Sequence, residues 1–378
     1  MSIITKIEIG SYRYDFEGEF KFFSPDADGV VRRPSVFVRL TDEDGTQGWG
    51  QAVPVPTWTY ETTETIMTTL EYYLTPVLLG LDPEDFAAIH KAMNTAIKPG
   101  FTTGQPLCKA AVDLACFDLV GKRKGKSAAE LLGGGKRDKL TLSWTVASPI
   151  RENIEVQLEN GRNRGYHNFN YKVGYPQTPE YDLEITRMIR DFAPDGFLWA
   201  DANTGFDEST ALDLLPKLAD EGVAVIESPL PPSQIRGYQT LKKQGALPIF
   251  MDEGIVSVQE AREFMALDMA DGLTLKTARS AGLLSSGQIV DATQAAGLHL
   301  LGSGLTDPDL SMVASLHLFS YAGIEKPVAL NGPQYLADML IEENLMLSGD
   351  EIQVPSGPGL GVTLSEKVNE YMRVVGNL

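Results

Sequence analysis

Between residues 197 and 276 the chain reads Phe197-Leu-Trp-Ala-Asp-Ala-Asn203, then Val223-Ala-Val-Ile-Glu-Ser-Pro229, then Pro248-Ile-Phe-Met-Asp-Glu-Gly254, then Leu273-Thr-Leu-Lys276. Each is a short run, apolar on both faces, that ends in a charged side chain. Continuous apolar runs of this kind suit parallel strands covered by helices. Helical periodicity fills the gaps, as in Asp207–Glu221 and Val256–Ala266. With the flanking runs included, the candidate strands are 139–146, 167–173, 196–201, 223–227, 247–252, 271–276, 297–302 and 327–331. Eight strands with seven intervening helical stretches predict a parallel α/β barrel. An open doubly wound sheet is the alternative, but no Gly-x-Gly-x-x-Gly follows the first strand.

The chain before the barrel has another rhythm. Residues 3–14, 34–41 and 46–50 read as strands, and Asp42-Glu-Asp-Gly-Thr46 between the last two is hairpin chemistry. Helical stretches are predicted near 61–78, 82–96 and 106–124, and long loops at 15–31 and 51–60. A strand meander followed by helices suggests a segregated α+β unit. The Gly/Pro-rich segment from Gly349 to Val362 reads as an irregular return packed on that unit. The domains expected are therefore 1–135 (α+β), 136–332 (barrel) and 333–378 (return).

The 378 residues are 43% hydrophobic and 22% charged, which excludes global disorder. Acidic side chains outnumber basic ones, 51 to 32, for a formal charge of −19. Such an excess repels phosphate backbones and anionic lipid, so neither nucleic acid nor membrane is an expected partner. Cys108 and Cys116 lie on one predicted helix, too far apart to pair. Unbridged thiols, no apolar leader after Met1 and no apolar run of about 20 residues lead us to expect a soluble cytoplasmic protein.

The chemistry concentrates where an α/β barrel builds its site, at the C-terminal strand ends. Lys172 ends the second strand, Asp201 the third, Glu227 the fourth, Asp252 the fifth and Lys276 the sixth, at 24–26 residue steps from Asp201 onward. Three carboxylates on adjacent strands repel one another unless a cation joins them. All-oxygen ligands without His or Cys favour Mg²⁺ or Mn²⁺ over zinc. Strands two and six stand on opposite walls of an eight-stranded barrel, so Lys172 and Lys276 are placed for proton transfer at the two faces of one carbon. A lysine base must be neutral, and lowering its pKa to about 7 costs roughly 4–5 kcal/mol. Desolvation and a neighbouring cation act in that direction.

These residues lie in motifs that resemble the enolase superfamily, and within it the muconate lactonizing enzyme subgroup. The resemblance covers nearly the whole chain. It is carried by Ala111-Val-Asp-Leu-Ala-Cys-Phe-Asp-Leu-Val-Gly-Lys122 with Leu131-Leu-Gly-Gly134, and by Asp201-Ala-Asn203, Glu227-Ser-Pro229 and Asp252-Glu253. Lys276-Thr-Ala-Arg-Ser-Ala-Gly-Leu283 and Gly357-Pro-Gly-Leu-Gly-Val362 complete it. It implies a (β/α)7β modified TIM barrel under an N-terminal α+β capping domain completed by the C-terminal segment. It also implies Mg²⁺, loops 15–31 and 51–60 closing over the substrate, a homo-oligomer, and proton abstraction next to a carboxylate through a metal-stabilised enediolate. The outcome expected is racemisation or epimerisation, or cycloisomerisation. The alternatives are a dehydratase acting on a hydroxy acid or hydroxyproline-like substrate, and a catalytically silent metal-binding barrel.

The sequence departs from the subgroup pattern twice. Where the second-strand motif has Lys-x-Lys, this chain has Asn170 and keeps only Lys172; Asn170 either donates to the substrate or is structural. In Gly302-Ser-Gly-Leu-Thr-Asp307, Thr306 falls where the subgroup often has a glutamate. Asn203 and Glu253 are expected to orient the ligands and Lys276. Ser303, Thr306, Trp58 and Phe23 are candidates for the substrate pocket. His90, His167, His299 and His317 fit no metal pair and read as structural or surface residues.

Overall fold

The long strands Ile4–Asp15, Arg32–Asp42 and Gln47–Ala52 form the predicted antiparallel meander, with Ile9 opposite Val38 and Val38 opposite Gly50. Gly45 takes φ 81 in the turn, where Asp42 Oδ1 accepts from the amides of Asp44 and Thr46. The chain's last strand, Met372–Asn377, pairs antiparallel with the first, so both termini share one four-stranded sheet. This computed structural model describes residues 2–100, 103–336 and 338–378; Met1, Phe101, Thr102 and Ala337 lie outside it.

Helix Pro106–Lys124 covers that sheet and is buried along most of its length, with both cysteines unpaired in its core. Its close approach requires glycine on the facing strand: a Cβ on Gly50 would stand 1.9 Å from the Ala111 carbonyl oxygen. Asp118 on the helix accepts from the amides of Trp49 and Leu360, tying the meander to the C-terminal return. The predicted helix at 61–78 is instead Thr63–Thr69 and Thr75–Leu78 joined by a π-helical turn, Leu70–Leu74. Pro76 has no N–H to continue an α-helical ladder, which accounts for the interruption.

Seven parallel strands, Trp144–Val146, Phe169–Lys172, Leu198–Asp201, Val225–Glu227, Ile249–Met251, Gly272–Leu275 and His299–Gly302, pair in chain order. The eighth, predicted at 327–331, is reduced to bridges: Val328 to Leu142 and Ala329 to Ser303. Those bridges join the last strand position to the first and close the ring. The fold is an α/β barrel of the (β/α)7β type beneath a capping sheet that the C-terminal strand completes. The predicted strand 139–146 is split, because Lys139–Thr141 pairs antiparallel with Glu351–Gln353 and only Trp144–Val146 enters the barrel. Among the described residues no helix is long and apolar enough to cross a membrane.

Candidate active site

Strand register sets the charged residues side by side. Lys172 is the Cα partner of Asp201, and Asp201 of Glu227. Glu227 pairs with Phe250, so Asp252 lies just beyond the end of the fifth strand. Asp201, Glu227 and Asp252 are 4%, 1% and 1% exposed, so solvent does little to screen them. Their neutralisation comes from side chains. Lys172 Nζ pairs with Asp201 Oδ2, Lys276 Nζ lies 2.5 Å from Asp252 Oδ2, and Arg279 Nη1 contacts Asp252 Oδ1.

Among the described residues Glu227 has no such partner. Its Oε1 is buried without a hydrogen bond, as are Asn203 Oδ1 and Glu253 Oε2. Burial, and then the Asp201 charge, push the Glu227 carboxyl up to about 8. Burial pushes Asp201 the same way, but Lys172 and Lys21 outweigh it and hold that carboxyl below its usual range. Asn203 donates from its backbone to Asp201 Oδ1 at 2.8 Å and from Nδ2 to Asp201 Oδ2 at 3.0 Å and Glu253 Oε1 at 3.3 Å. Ser228 Oγ accepts from the amides of Asp252 and Glu253. As they stand, no three His, Cys, Asp or Glu groups among the described residues are gathered into a metal-ligand cluster, since two of the three carboxylates face lysines.

A small cavity of about 30 Å³ brings most of the sequence-derived candidates together. Lys172, Lys276, Asp201, Glu227 and Asn203 line it from the barrel; Asn170, Ser303 and Thr306 add polar walls, and Phe23 and Trp58 reach it from the capping loops. Asp252 and Glu253 do not line it. They open on a neighbouring cleft of about 550 Å³ that shares Trp58, Lys276 and Leu305 with the cavity. The cavity's wall on the capping side is aromatic: Phe22 packs on Trp58 with ring centroids 4.5 Å apart, and Phe20 lies beside Phe23.

Four residues near the site carry no signal in the strand-end spacing. Lys21, between Phe20 and Phe22, lays its ammonium against the Phe22 ring at 5.0 Å. The residue is exposed, yet desolvation of that ammonium, then the charge of Lys172, bring its pKa down to about 8. Arg279 is pinned by the carbonyls of Ile255 and Thr274, and burial lowers its pKa to about 9. Arg33, fully buried on the second capping strand, gives its whole fork to the carbonyls of Pro34, Val53, Pro54, Leu305 and Thr306. Its place at an inward strand position beside Ser35 and Phe37 is the one hint the sequence offers. Asn331 lines the cavity from the end of the eighth strand position. The histidines lie elsewhere: His90 pairs with Asp113, His317 with the Leu360 carbonyl, and His167 and His299 are exposed.

Residues 27–133 match the family described as the mandelate racemase / muconate lactonizing enzyme N-terminal domain, and residues 153–368 match the enolase C-terminal domain-like family. The chain belongs to the mandelate racemase/muconate lactonizing enzyme family. It is an enzyme of the enolase superfamily, and the relatives it matches are isomerases. It is 32% identical to a chloromuconate cycloisomerase of a Pseudomonas species, over 86% of this chain and 88% of the relative. It is 26% identical to an N-succinyl-L-Arg/Lys racemase of Bacillus cereus over 90% of each. Muconate lactonizing enzyme from Pseudomonas putida superposes with a TM-score of 0.88 at 26% identity, covering 98% of this chain and all of that one. These family members include both cycloisomerases and a racemase, so membership alone does not choose a reaction.

Proposed function

We propose that the enzyme removes the α-proton of a small carboxylate substrate with one lysine and delivers a proton to the opposite face from the other, giving racemisation or epimerisation, with cycloisomerisation as the other outcome open to the same site. The observation that carries this reading is that Lys172 and Lys276, from strands two and six, line one small cavity together with Asp201 and Glu227. In this reading Asp201, Glu227 and Asp252 hold Mg²⁺, or Mn²⁺ in its place. The donor set fits a hard cation: every donor is an oxygen, and Glu227 Oε1 is buried with no hydrogen bond to answer its charge. When bound, the ion supplies the positive charge that stabilises the enediolate.

The chain's own residues do the rest. One lysine accepts the α-proton while the other stands ready to deliver one, which requires the two to hold opposite protonation states. Asp201 and Asp252 fix the positions of the two lysine Nζ atoms. Asn203 holds Asp201 by two hydrogen bonds and so fixes the carboxylate to which Lys172 is bound. The aromatic loop residues Phe20, Phe22, Phe23 and Trp58 line the cavity and keep bulk water from the reacting carbon, so that the proton delivered there comes from a lysine.

The test is proton NMR in D₂O with Mg²⁺ against amino acids, N-acyl amino acids, hydroxyprolines and sugar acids, using wild type, Lys172→Ala and Lys276→Ala. The expected result is loss of one compound's α-proton signal, abolished in the lysine variants. New vinylic or keto signals would make the enzyme a dehydratase. Exchange that persists in both lysine variants would refute the two-base reading.

A further inference from the structure

The cavity wall supplied by strands one, two and eight carries Thr145, Asn170 and Asn331. Asn170 replaces a lysine of the subgroup motif, and its orientation is fixed by its neighbours. Ser143 Oγ donates to the Val328 carbonyl at 3.3 Å, so it receives the 2.7 Å contact from Asn170 Nδ2, which also lies 3.4 Å from the Ser143 carbonyl. The amide nitrogen is thus committed to the barrel wall, and Asn170 Oδ1 has no protein donor among the described residues. Asn331, 8% exposed, repeats the arrangement: Nδ2 donates to Thr145 Oγ1 at 3.3 Å, while Oδ1 is buried without a partner. A buried acceptor left unpaired, as Asn331 Oδ1 is, is costly and calls for a donor; Asn170 Oδ1 is free to accept beside it.

Among the described residues no cation is paired to this wall. Lys172 is engaged by Asp201, and the charge of Lys21 acts on Lys172, Asp201, Glu253 and Asp182. The cover is made of Phe20, Phe22, Phe23 and Trp58. Amide oxygens and ring faces both repel a second carboxylate, and both attract an amine or ammonium.

We propose that the substrate is a compact α-amino acid with an unacylated nitrogen, whose N–H groups are received by Asn170 Oδ1 and Asn331 Oδ1 beneath the aromatic cover. This rests on the α-proton reading of the same cavity and narrows it: the position that carries a lysine in the subgroup motif is here an acceptor, so an anionic or acylated group has no partner on this wall. Asn170 and Asn331 are specificity-determining residues and transfer no proton.

The experiment uses the full chain with Mg²⁺ and a panel of free α-amino acids including secondary amines, the N-acetyl form of each, and glutarate and adipate. α-Proton exchange is followed by NMR, and binding by calorimetry on Lys276→Ala. The expected result is exchange and binding with a free amino acid, both lost on N-acetylation. Asn170→Leu should raise KM at least tenfold with a smaller change in kcat, and Asn170→Lys should abolish binding of the free amino acid. Asn331→Ala gives the same readout should the Asn170 variants fail to fold. Exchange confined to N-acetyl compounds or dicarboxylates overturns this inference and leaves the α-proton reading standing. Calorimetric binding of a free amino acid, weakened in Asn170→Leu but without exchange in wild type, supports the inference and overturns the α-proton reading. Absence of both binding and exchange with every free amino acid overturns the inference.

Discussion

Arg33→Met is the perturbation whose size the structure defines best. The guanidinium donates to five carbonyls: Thr306 at 3.1 Å, Leu305 at 3.0 Å, Val53 at 2.9 Å, and Pro34 and Pro54 at 2.6 Å each. Two of these belong to the seventh-strand loop and two to the chain leading to Trp58, so one side chain fastens the capping loop to a wall of the cavity. Thr306 has φ 56, a left-handed conformation that a β-branched residue adopts at a cost, and its carbonyl is one of those held. Losing about 1 kcal/mol for each carbonyl left without its donor gives roughly 5 kcal/mol, and apolar contacts of the Met chain return about 1–2 kcal/mol. The net loss is about 3–4 kcal/mol. With an unfolding entropy of about 2.1 cal/mol/K per residue, a chain of this length should melt about 4–5 °C lower. Calorimetry measures that shift, and hydrogen exchange at residues 53–58 and 305–306 should accelerate with it. Activity should fall chiefly through kcat/KM, because the cavity loses its held walls. A melting point within 1 °C of wild type together with unchanged exchange at Leu305 and Thr306 would refute the strut.

Gly50→Ala should cost about 2–3 kcal/mol in urea unfolding, because its Cβ would meet the Ala111 carbonyl at 1.9 Å, whereas Gly100→Ala, with nothing within 4 Å among the described residues, should be near neutral. His317 is pushed down to about 4 by burial, while the unfolded chain takes up that proton near the ordinary 6.5. Between those values the unfolded state binds more protons, so this contribution is whole above pH 6.5 and is lost as pH falls toward 4, about 3 kcal/mol in all. His317→Asn should flatten the acid limb of stability against pH by that amount, and an unchanged limb counts against it. Mg²⁺ at 100 times its dissociation constant should add about 2.7 kcal/mol to stability. Glu227→Gln should remove most of that gain in a thermal titration, and an equal gain in the variant would take Glu227 out of the ligand set.

The barrel was legible because each strand announces itself locally, in an apolar run with a charged residue at its end. Spacing then sufficed to set Lys172, Asp201 and Glu227 on neighbouring strands, which register alone guarantees. The eighth strand failed for a local reason as well, since Pro327 removes one ladder donor and the Asn331-Gly332-Pro333 turn ends the run. What lies above the strands is set by partners far away in the chain. Arg33 finds Leu305 and Thr306 across some 270 residues, and no periodicity encodes that pairing. Lys21 sits in a stretch read only as a loop, and its charge matters because it acts on Lys172 and Asp201, far away in the chain. The same asymmetry explains Asn170. As a letter it is a missing lysine, with a donor's role or a structural one equally open. The Ser143 hydroxyl, already committed to Val328, takes the amide nitrogen and leaves only the oxygen for a ligand. On the proposed reading, the strand ends carry the groups that move the proton, and the hydrogen bonds behind the wall select what is bound there.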